Sequence, residues 1–252
     1  MIILCSDYVG FEIIKYLIDS NEHISYLVLD SSDRNNFNSK IINYYKKQFP
    51  DNQIYFEDVL NDKKFLLDIE KQQIELGILA WWPHILKGKI FNITKRGWLN
   101  FHPSFLPFNR GRNPNFWCLV DETVSGVSLH FIDENVDTGD IVAQKKFTTT
   151  WEDTGKSVYE KSRDLIVELF KEIFPKLKNN QLDPIKQKKD IGVYHKASEL
   201  DQISEIKLEE NYKARDLLNI LRARMFPPYP STFFYDDGKK YSIKITIKEE
   251  QQ

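Results

Sequence analysis

Along the first half of the chain, short runs that are apolar throughout alternate with longer stretches in which apolar residues recur every three or four positions. Residues 2–5, 25–30, 54–56 and 76–82 are of the first kind. Runs apolar on both faces suit the strands of a parallel sheet covered by helices on either side. The amphipathic stretches at 10–18, 35–48 and 61–73 predict the helices between them. Residues 97–102, 127–132 and 141–147 read as further strands of the same sheet. From Lys156, apolar residues at Val158, Leu165, Ile166, Leu169, Phe170, Ile173, Phe174 and Leu177 keep helical spacing, so one long helix closes this unit. The pattern is that of an α/β domain built from strand and helix units.

Residues 178–189 are polar, basic and interrupted by Pro184, and read as a linker or an exposed excursion. The expected organisation is one large N-terminal domain over 1–178, a linker over 179–190 and a small α+β region over 191–252. In that last region a helix is expected near 212–224. Asp237-Gly238 is expected to turn a hairpin between 233–235 and 241–247. Such a hairpin buries little alone and must pack on something, and its edge needs covering. The lysines at 186–189 read as solvated surface.

Composition narrows the class. Lys and Arg total 35 against 37 Asp and Glu, a net charge of −2 without the basic excess of a nucleic-acid binder. No nucleic-acid partner is therefore expected. At 41% hydrophobic and 13% aromatic the chain of 252 residues is too apolar for disorder. Its longest apolar runs are too short to cross a bilayer, so no membrane insertion is expected. Cys5 and Cys118 form no disulfide framework, and no secretory leader pattern opens the sequence, so a cytoplasmic location is expected.

Three apparent motifs fail on context. Gly155-Lys156-Ser157 lacks the strand and glycine-rich turn of a phosphate loop and reads as a helix start. Gly10 is a lone glycine without dinucleotide-binding spacing. Asp137-Thr138-Gly139 has no second copy with which an aspartic protease could share a proton.

The chemistry concentrates between Gly97 and Asp140. Strand alternation puts Asn100 and His102 on one side of their strand, which Pro103 ends, at the crevice where open α/β sheets bind ligands. Asp137 follows the next strand by a short loop, where Gly139 would let the backbone approach a ligand. An amide and an imidazolium can hold a tetrahedral oxyanion while a carboxylate orients the histidine and relays a proton, which suits acyl transfer. A metal reading of His102, His130 and Asp137 has no supporting ligand spacing, and His130 is expected beside the cleft. No metal is expected.

The strings Asn100-Phe101-His102-Pro103-Ser104, Arg110-Gly111-Arg112-Asn113-Pro114, Gly126-Val127-Ser128-Leu129-His130-Phe131 and Asp137-Thr138-Gly139-Asp140-Ile141 strongly resemble the folate-dependent formyltransferases. The likeness covers about residues 1–175. It implies a Rossmann-like, open, mostly parallel sheet with a small C-terminal helix and β-hairpin region. It implies an N-formyltransferase in which Asn100 and His102 hold the oxyanion and Asp137 supports His102 and assists proton removal. The co-substrate implied is 10-formyltetrahydrofolate, its pterin held mainly by main chain in the loops carrying His84, Ile85 and Leu86 and carrying Ile132, Glu134 and Asn135.

The tail from Leu221 to Pro230 and the following hairpin look like those of bacterial sugar N-formyltransferases. The implied substrate is a nucleotide-diphosphate amino sugar, dTDP-linked and of the amino-dideoxy type, used for surface polysaccharide such as O-antigen or lipopolysaccharide. Arg112 is the candidate for the diphosphate, because a guanidinium binds phosphate through two parallel bonds. Tyr8 and Tyr229 are candidates to stack on the base. The resemblance also implies a homodimer through the C-terminal hairpin. Two alternatives stay open: a methionyl-tRNA formyltransferase-like enzyme, which the net charge and the short tail fit poorly, and a non-catalytic folate-binding protein of the same fold.

Overall fold

The structure is a computed structural model that describes residues 1–32, 36–188 and 191–250. The expected helix start at Asn35, the end of the expected linker, Lys189 of the lysine patch and the last two residues lie outside the described residues.

Seven strands form one sheet: β1 (Ile2–Cys5), β2 (Tyr26–Leu29), β3 (Ile54–Phe56), β4 (Gly77–Ala80), β5 (Trp98–His102), β7 (Gly126–Phe131) and β8 (Ile141–Lys146). The helices around it are α1 (Asp7–Asp19), α2 (Phe37–Gln48), α3 (Lys63–Gln72), α4 (Pro114–Val120) and α5 (Gly155–Lys178). The strand order is β3-β2-β1-β4-β5-β7-β8. Pairings from β3 through β5 are parallel, and β7 and β8 add an antiparallel edge. Strands β1, β2 and β4 are buried at every position because helices cover both faces, as their unbroken apolar runs predict.

Alternation along these strands divides the core in two. Ile3, Cys5, Leu27, Leu29, Ile78, Leu99 and Phe101 face α1, α2 and α5. Ile2, Leu4, Val28, Leu79 and Trp98 face α3 and the short 3-10 turns. Trp82 is core on this second side, while Trp81 is half-buried against the first. At the start of α5, the Thr154 hydroxyl accepts from the Ser157 amide and the Ser157 hydroxyl accepts from the Thr154 amide, so Gly155-Lys156-Ser157 is a capped helix start.

Beyond α5 the chain returns across the sheet edge. Ile185 bridges to Ile141, and β9 (Tyr194–His195) pairs in parallel with β6 (Arg110–Gly111). The segment expected as a linker is thus laid along the end of the loop that follows β7, and the residues after it along the loop that follows β5. Two further helices follow, α6 (Ala197–Ser204) and α7 (Ala214–Ala223). The sequence pattern passed over α6 and α4, both short and with little apolar periodicity of their own. Helix α7 packs on α4 through Ala223 and buries Ile220 and Leu221 against the C-terminal hairpin, β10 (Phe233–Asp236) and β11 (Lys239–Ser242).

The hairpin's second strand differs from the expected 241–247. Asp237 and Gly238 both have positive φ, so the turn closes in two residues and pairing begins at Lys239. Past Ser242 the pairing carries one more bond in the same register, the Ile243 amide donating to the Thr232 carbonyl at 2.8 Å, and Ile243 and Ile245 pack on the α7 cluster.

Candidate active site

Antiparallel pairing of β5 with β7 sets Asn100 opposite His130 and His102 opposite Ser128. The two strands run in opposite directions, so β7 ends beside the start of β5, and the loop after β7 folds back to bring Asp137 against Asn100 and His102. Gly139 makes this possible in a way the sequence reading did not foresee: its Cα faces the Phe131 carbonyl so closely that a Cβ would sit 1.9 Å from that oxygen. Its lack of a side chain therefore serves a backbone contact that pins the loop to the end of β7.

The Asp137 carboxylate is the hub. Its Oδ2 accepts the Gly111 amide at 2.9 Å and lies 3.4 Å from His102 Nδ1. Its Oδ1 accepts from Asn100 Nδ2 at 3.4 Å and lies 3.5 Å from His130 Nε2. Burial alone would push this carboxyl up, but the positive charge of the two imidazoles when protonated and the Gly111 amide outweigh it and hold the group well below the usual carboxylate range. Gln187, from the returning segment, donates to the main-chain oxygens of Asp137 and Gly139 at 2.9 and 2.8 Å and fixes the loop from its other side.

The tautomers follow from the partners. His102 Nε2 faces the Asn109 carbonyl at 3.1 Å, and a carbonyl only accepts, so Nε2 carries the proton and Nδ1 is the atom beside Asp137. His130 Nδ1 faces the Phe131 carbonyl at 2.8 Å, which leaves Nε2 to accept the Asn100 amide at 3.1 Å. Burial lowers the affinity of His102 for a second proton and the neighbouring Asp137 raises it, with burial prevailing at rest. A proton arriving at Nδ1 would turn the 3.4 Å contact into a charged pair. His130 thus joins the cluster more closely than a position beside the cleft. The signal was its place opposite Asn100, which needs the strand pairing to be read.

The folate-loop candidates divide. Ile85 is 68% exposed and Leu86 is buried in the core. Ile132 packs on that same core cluster, while Glu134 and Asn135 are exposed. The Asn135 amide donates to its own loop at Asp133. His84 Nε2 lies 3.0 Å from Asp30 Oδ1. Among the described residues Asp30, Glu57 and His84 bring ligand atoms within 4.8 Å of one another. The oxygens of Asp30 and Glu57 are bound by Ser32 and Ser31. The buried indole nitrogen of Trp82, next to this loop, has no hydrogen-bond partner, which fits a heterocycle with an acceptor edge.

A cleft of about 660 Å³ opens on the α5 side, lined among others by Asp7, Asn113, Phe116, Tyr159, Arg163, Phe226 and Tyr229. Tyr229 stands at its rim, half exposed. Tyr8 lies under Arg163, whose guanidinium covers its ring at 4.2 Å. Arg112 is exposed and donates to the Pro83 carbonyl at 3.3 Å, tying the loop after β4 to that after β5, and it does not line the cleft. The cations on the lining are Arg163 and Arg224, which sequence reasoning missed because a single arginine on a helix face carries no motif. Trp81 Nε1 donates to Tyr159, whose hydroxyl burial pushes up to about 12.

Residues 18–173 match the protein family described as formyl transferase, and residues 199–249 match the N-formyltransferase dimerization C-terminal domain. A methionyl-tRNA formyltransferase of Fusobacterium nucleatum is 27% identical over 235 residues, 90% of this chain and 74% of that protein. This chain spans between 35% and 60% of four other curated relatives that it matches. Among solved structures, a sugar N-formyltransferase from a Shewanella species superposes with a TM-score of 0.79 at 19% identity, over 99% of this chain and 98% of that one. An N-formyltransferase of Helicobacter canadensis, solved with folinic acid and dTDP-3-aminofucose, superposes with a TM-score of 0.70 at 19% identity, over 95% of this chain and 84% of that one. At these identities the likeness is one of fold.

Proposed function

This chain belongs to the formyl transferase family, and from that premise we propose that it moves a formyl group onto the amine of a nucleotide-linked amino sugar, dTDP-linked and of the amino-dideoxy type, for surface polysaccharide. The observation that carries the reading is the buried cluster of Asn100, His102, His130 and Asp137, together with a cleft with aromatic walls and two arginines whose lining includes Asn113, two residues beyond the Gly111 amide that holds Asp137. The Helicobacter canadensis protein, of the same fold, was solved with a folate and a dTDP amino sugar. The C-terminal match supports a homodimer through the hairpin region. A net charge of −2 weighs against the transfer-RNA reading, because phosphate neutralisation needs basic surface.

When bound, 10-formyltetrahydrofolate supplies an electrophilic formyl carbon, held by the loops carrying His84, Ile85 and Leu86 and carrying Ile132, Glu134 and Asn135, with the Trp82 indole as a free donor beside the first. Asn100, half-buried where His102 is buried, presents the amide that stabilises charge on the formyl oxygen. His102 uses Nε2 on the Asn109 carbonyl, so its part is at Nδ1: it receives the amine's proton, and Asp137 stabilises the imidazolium so formed. His130 holds the Asn100 amide from behind.

In the cleft we assign the diphosphate to Arg163 and the base to the aromatic side at Phe226 and Tyr229, with Tyr8 as the platform under the guanidinium. Arg112 serves as a tie between loops. A hydrogen bond to a charged group is worth roughly 1.5 to 3 kcal/mol. Arg163→Ala should therefore weaken the nucleotide sugar about ten- to a hundredfold and leave folate affinity unchanged, read by calorimetric titration of each ligand. If Arg112→Ala instead gives the selective loss and Arg163→Ala does not, the diphosphate belongs to Arg112. The function itself is tested by incubating the protein with 10-formyltetrahydrofolate and a panel of nucleotide amino sugars. Formamide product from none of them overturns the reading, and formylation of aminoacyl-tRNA alone would replace it.

A further inference from the structure

His195 lies outside the proposed catalytic cluster, yet it is 7% exposed and has a charged partner on every side. Its Nε2 is 2.8 Å from Asp121 Oδ2, at the end of α4, and its Nδ1 is 2.9 Å from Glu199 Oε2, in the first turn of α6. An ionised carboxylate only accepts, so both contacts are hydrogen bonds only when both ring nitrogens carry protons. The ring also stacks on Trp117 at 3.7 Å and 4° between planes, a surface that favours a cation. A neutral core histidine would need one donor and one acceptor; this site offers two acceptors and an aromatic face.

What this anchor holds is the backbone beside Asp137. The His195 carbonyl accepts the Arg112 amide at 3.0 Å, and the Val193 carbonyl accepts the Arg110 amide at 2.9 Å. Between them, the Gly111 amide is left to point the other way, to Asp137 Oδ2. The two chains lie too close for side chains: a Cβ on Gly111 would stand 2.3 Å from the His195 carbonyl, and one on Gly192 2.1 Å from the Pro107 carbonyl. Gly192 also has φ +101, where only glycine is at ease.

We infer that His195, clamped between Asp121 and Glu199, is a positioning residue that locks residues 192–195 against β6 and so fixes the Gly111 amide on which the Asp137 carboxylate rests. It touches neither substrate. The effect on transfer rests on the reading of Asp137 given above, whereas the effect on the Gly111 backbone does not.

The test is His195→Ala, with Glu199→Ala as the milder variant. Glu199 lies at the surface, so its loss leaves the fold and the Asp121 contact in place. Steady-state formyl transfer across pH is measured together with hydrogen exchange over residues 108–113. A small misplacement of a catalytic group costs up to about a hundredfold. The expected result for His195→Ala is a kcat lower by about ten- to a hundredfold with KM for both substrates little changed. Removing a donor dipole from the Asp137–His102 pair raises the pair's affinity for a proton, so the acid limb of the rate profile moves to higher pH. Exchange at Gly111 and Arg112 should quicken, and Glu199→Ala should show the same directions at smaller size. Faster exchange with an unchanged kcat and pH profile would reduce the clamp to a structural role and overturn the inference. Unchanged exchange in both variants would also overturn it. If the wild-type chain transferred no formyl group, the proposed function would fall while exchange still decided whether His195 fixes Gly111.

Discussion

Replacing His102 with asparagine, or Asn100 with alanine, is expected to lower turnover by at least about a hundredfold, the scale of losing one oxyanion donor or a general base. The two variants fail for different reasons. Asn100 is half-buried, and its amide is held by His130 at 3.1 Å and only loosely by Asp137 at 3.4 Å, the N–H that the formyl oxygen would take over, so alanine there removes that donor and leaves the strand pairing intact. The melting temperature should hardly move. His102 is buried between the Asn109 carbonyl and Asp137. Asparagine can satisfy the first with its amide N–H but offers no nitrogen that gains a proton in the physiological range. Single-turnover transfer at saturating substrates separates chemistry from binding. A His102→Asn enzyme within about threefold of wild type would remove the imidazole from the reaction, where a general base is worth about a hundredfold or more.

Asp137→Asn should slow transfer by about a hundredfold or more at neutral pH, with a sign in its pH dependence that a purely structural role would not produce. Asparagine can keep the bond from the Gly111 amide, so the loop should hold its shape. It cannot keep the charge. Asp137 raises the proton affinity of His102 against the lowering effect of burial, so without the carboxylate the imidazole becomes a weaker base and the acid limb of the rate profile moves to lower pH.

Stability carries the same sign. A carboxyl whose native pKa is depressed contributes stability above its unfolded value, near 3.9, and loses that contribution as pH falls through the depressed native value. The wild type should therefore lose more stability than Asp137→Asn on acidification below about pH 4. Equal acid sensitivity of the two proteins, or a variant as fast as wild type at every pH, would leave Asp137 a loop residue only. The direction is opposite to that expected for His195→Ala, so the two mechanisms of disturbing the same carboxylate are distinguishable in one titration.

The sheet could be read from the sequence because each of its first strands is a contiguous run whose apolar residues face both sides, a local property that survives any packing. Helix α5 was legible for the same reason, since nine of its ten buried positions lie on one periodic stripe between Val158 and Leu177, the tenth being Gly155 at its start. The three polar groups of the cluster were legible by type and position: two on one face of β5, one in the loop after β7. The short elements were not. Helix α4 has seven residues, and α6 eight with Ser204 as its single buried position, so neither shows periodicity before a partner exists.

What the sequence determined by itself is therefore the class of fold, the edge of the sheet where chemistry gathers and the residue types available there, because these depend on spacing along one segment. What only the tertiary structure decided is which groups meet. His130 reaches Asn100 through the β5–β7 register, Arg163 enters the cleft because α5 crosses beside Tyr8, a segment that reads as a polar linker binds Asp137 through Gln187, and the residues just after it bind β6 at Tyr194 and His195. Each of these contacts joins residues distant in sequence. Hydrogen bonds and ion pairs act over a few ångströms, and no local pattern records which distant segment the folded chain will bring within that range.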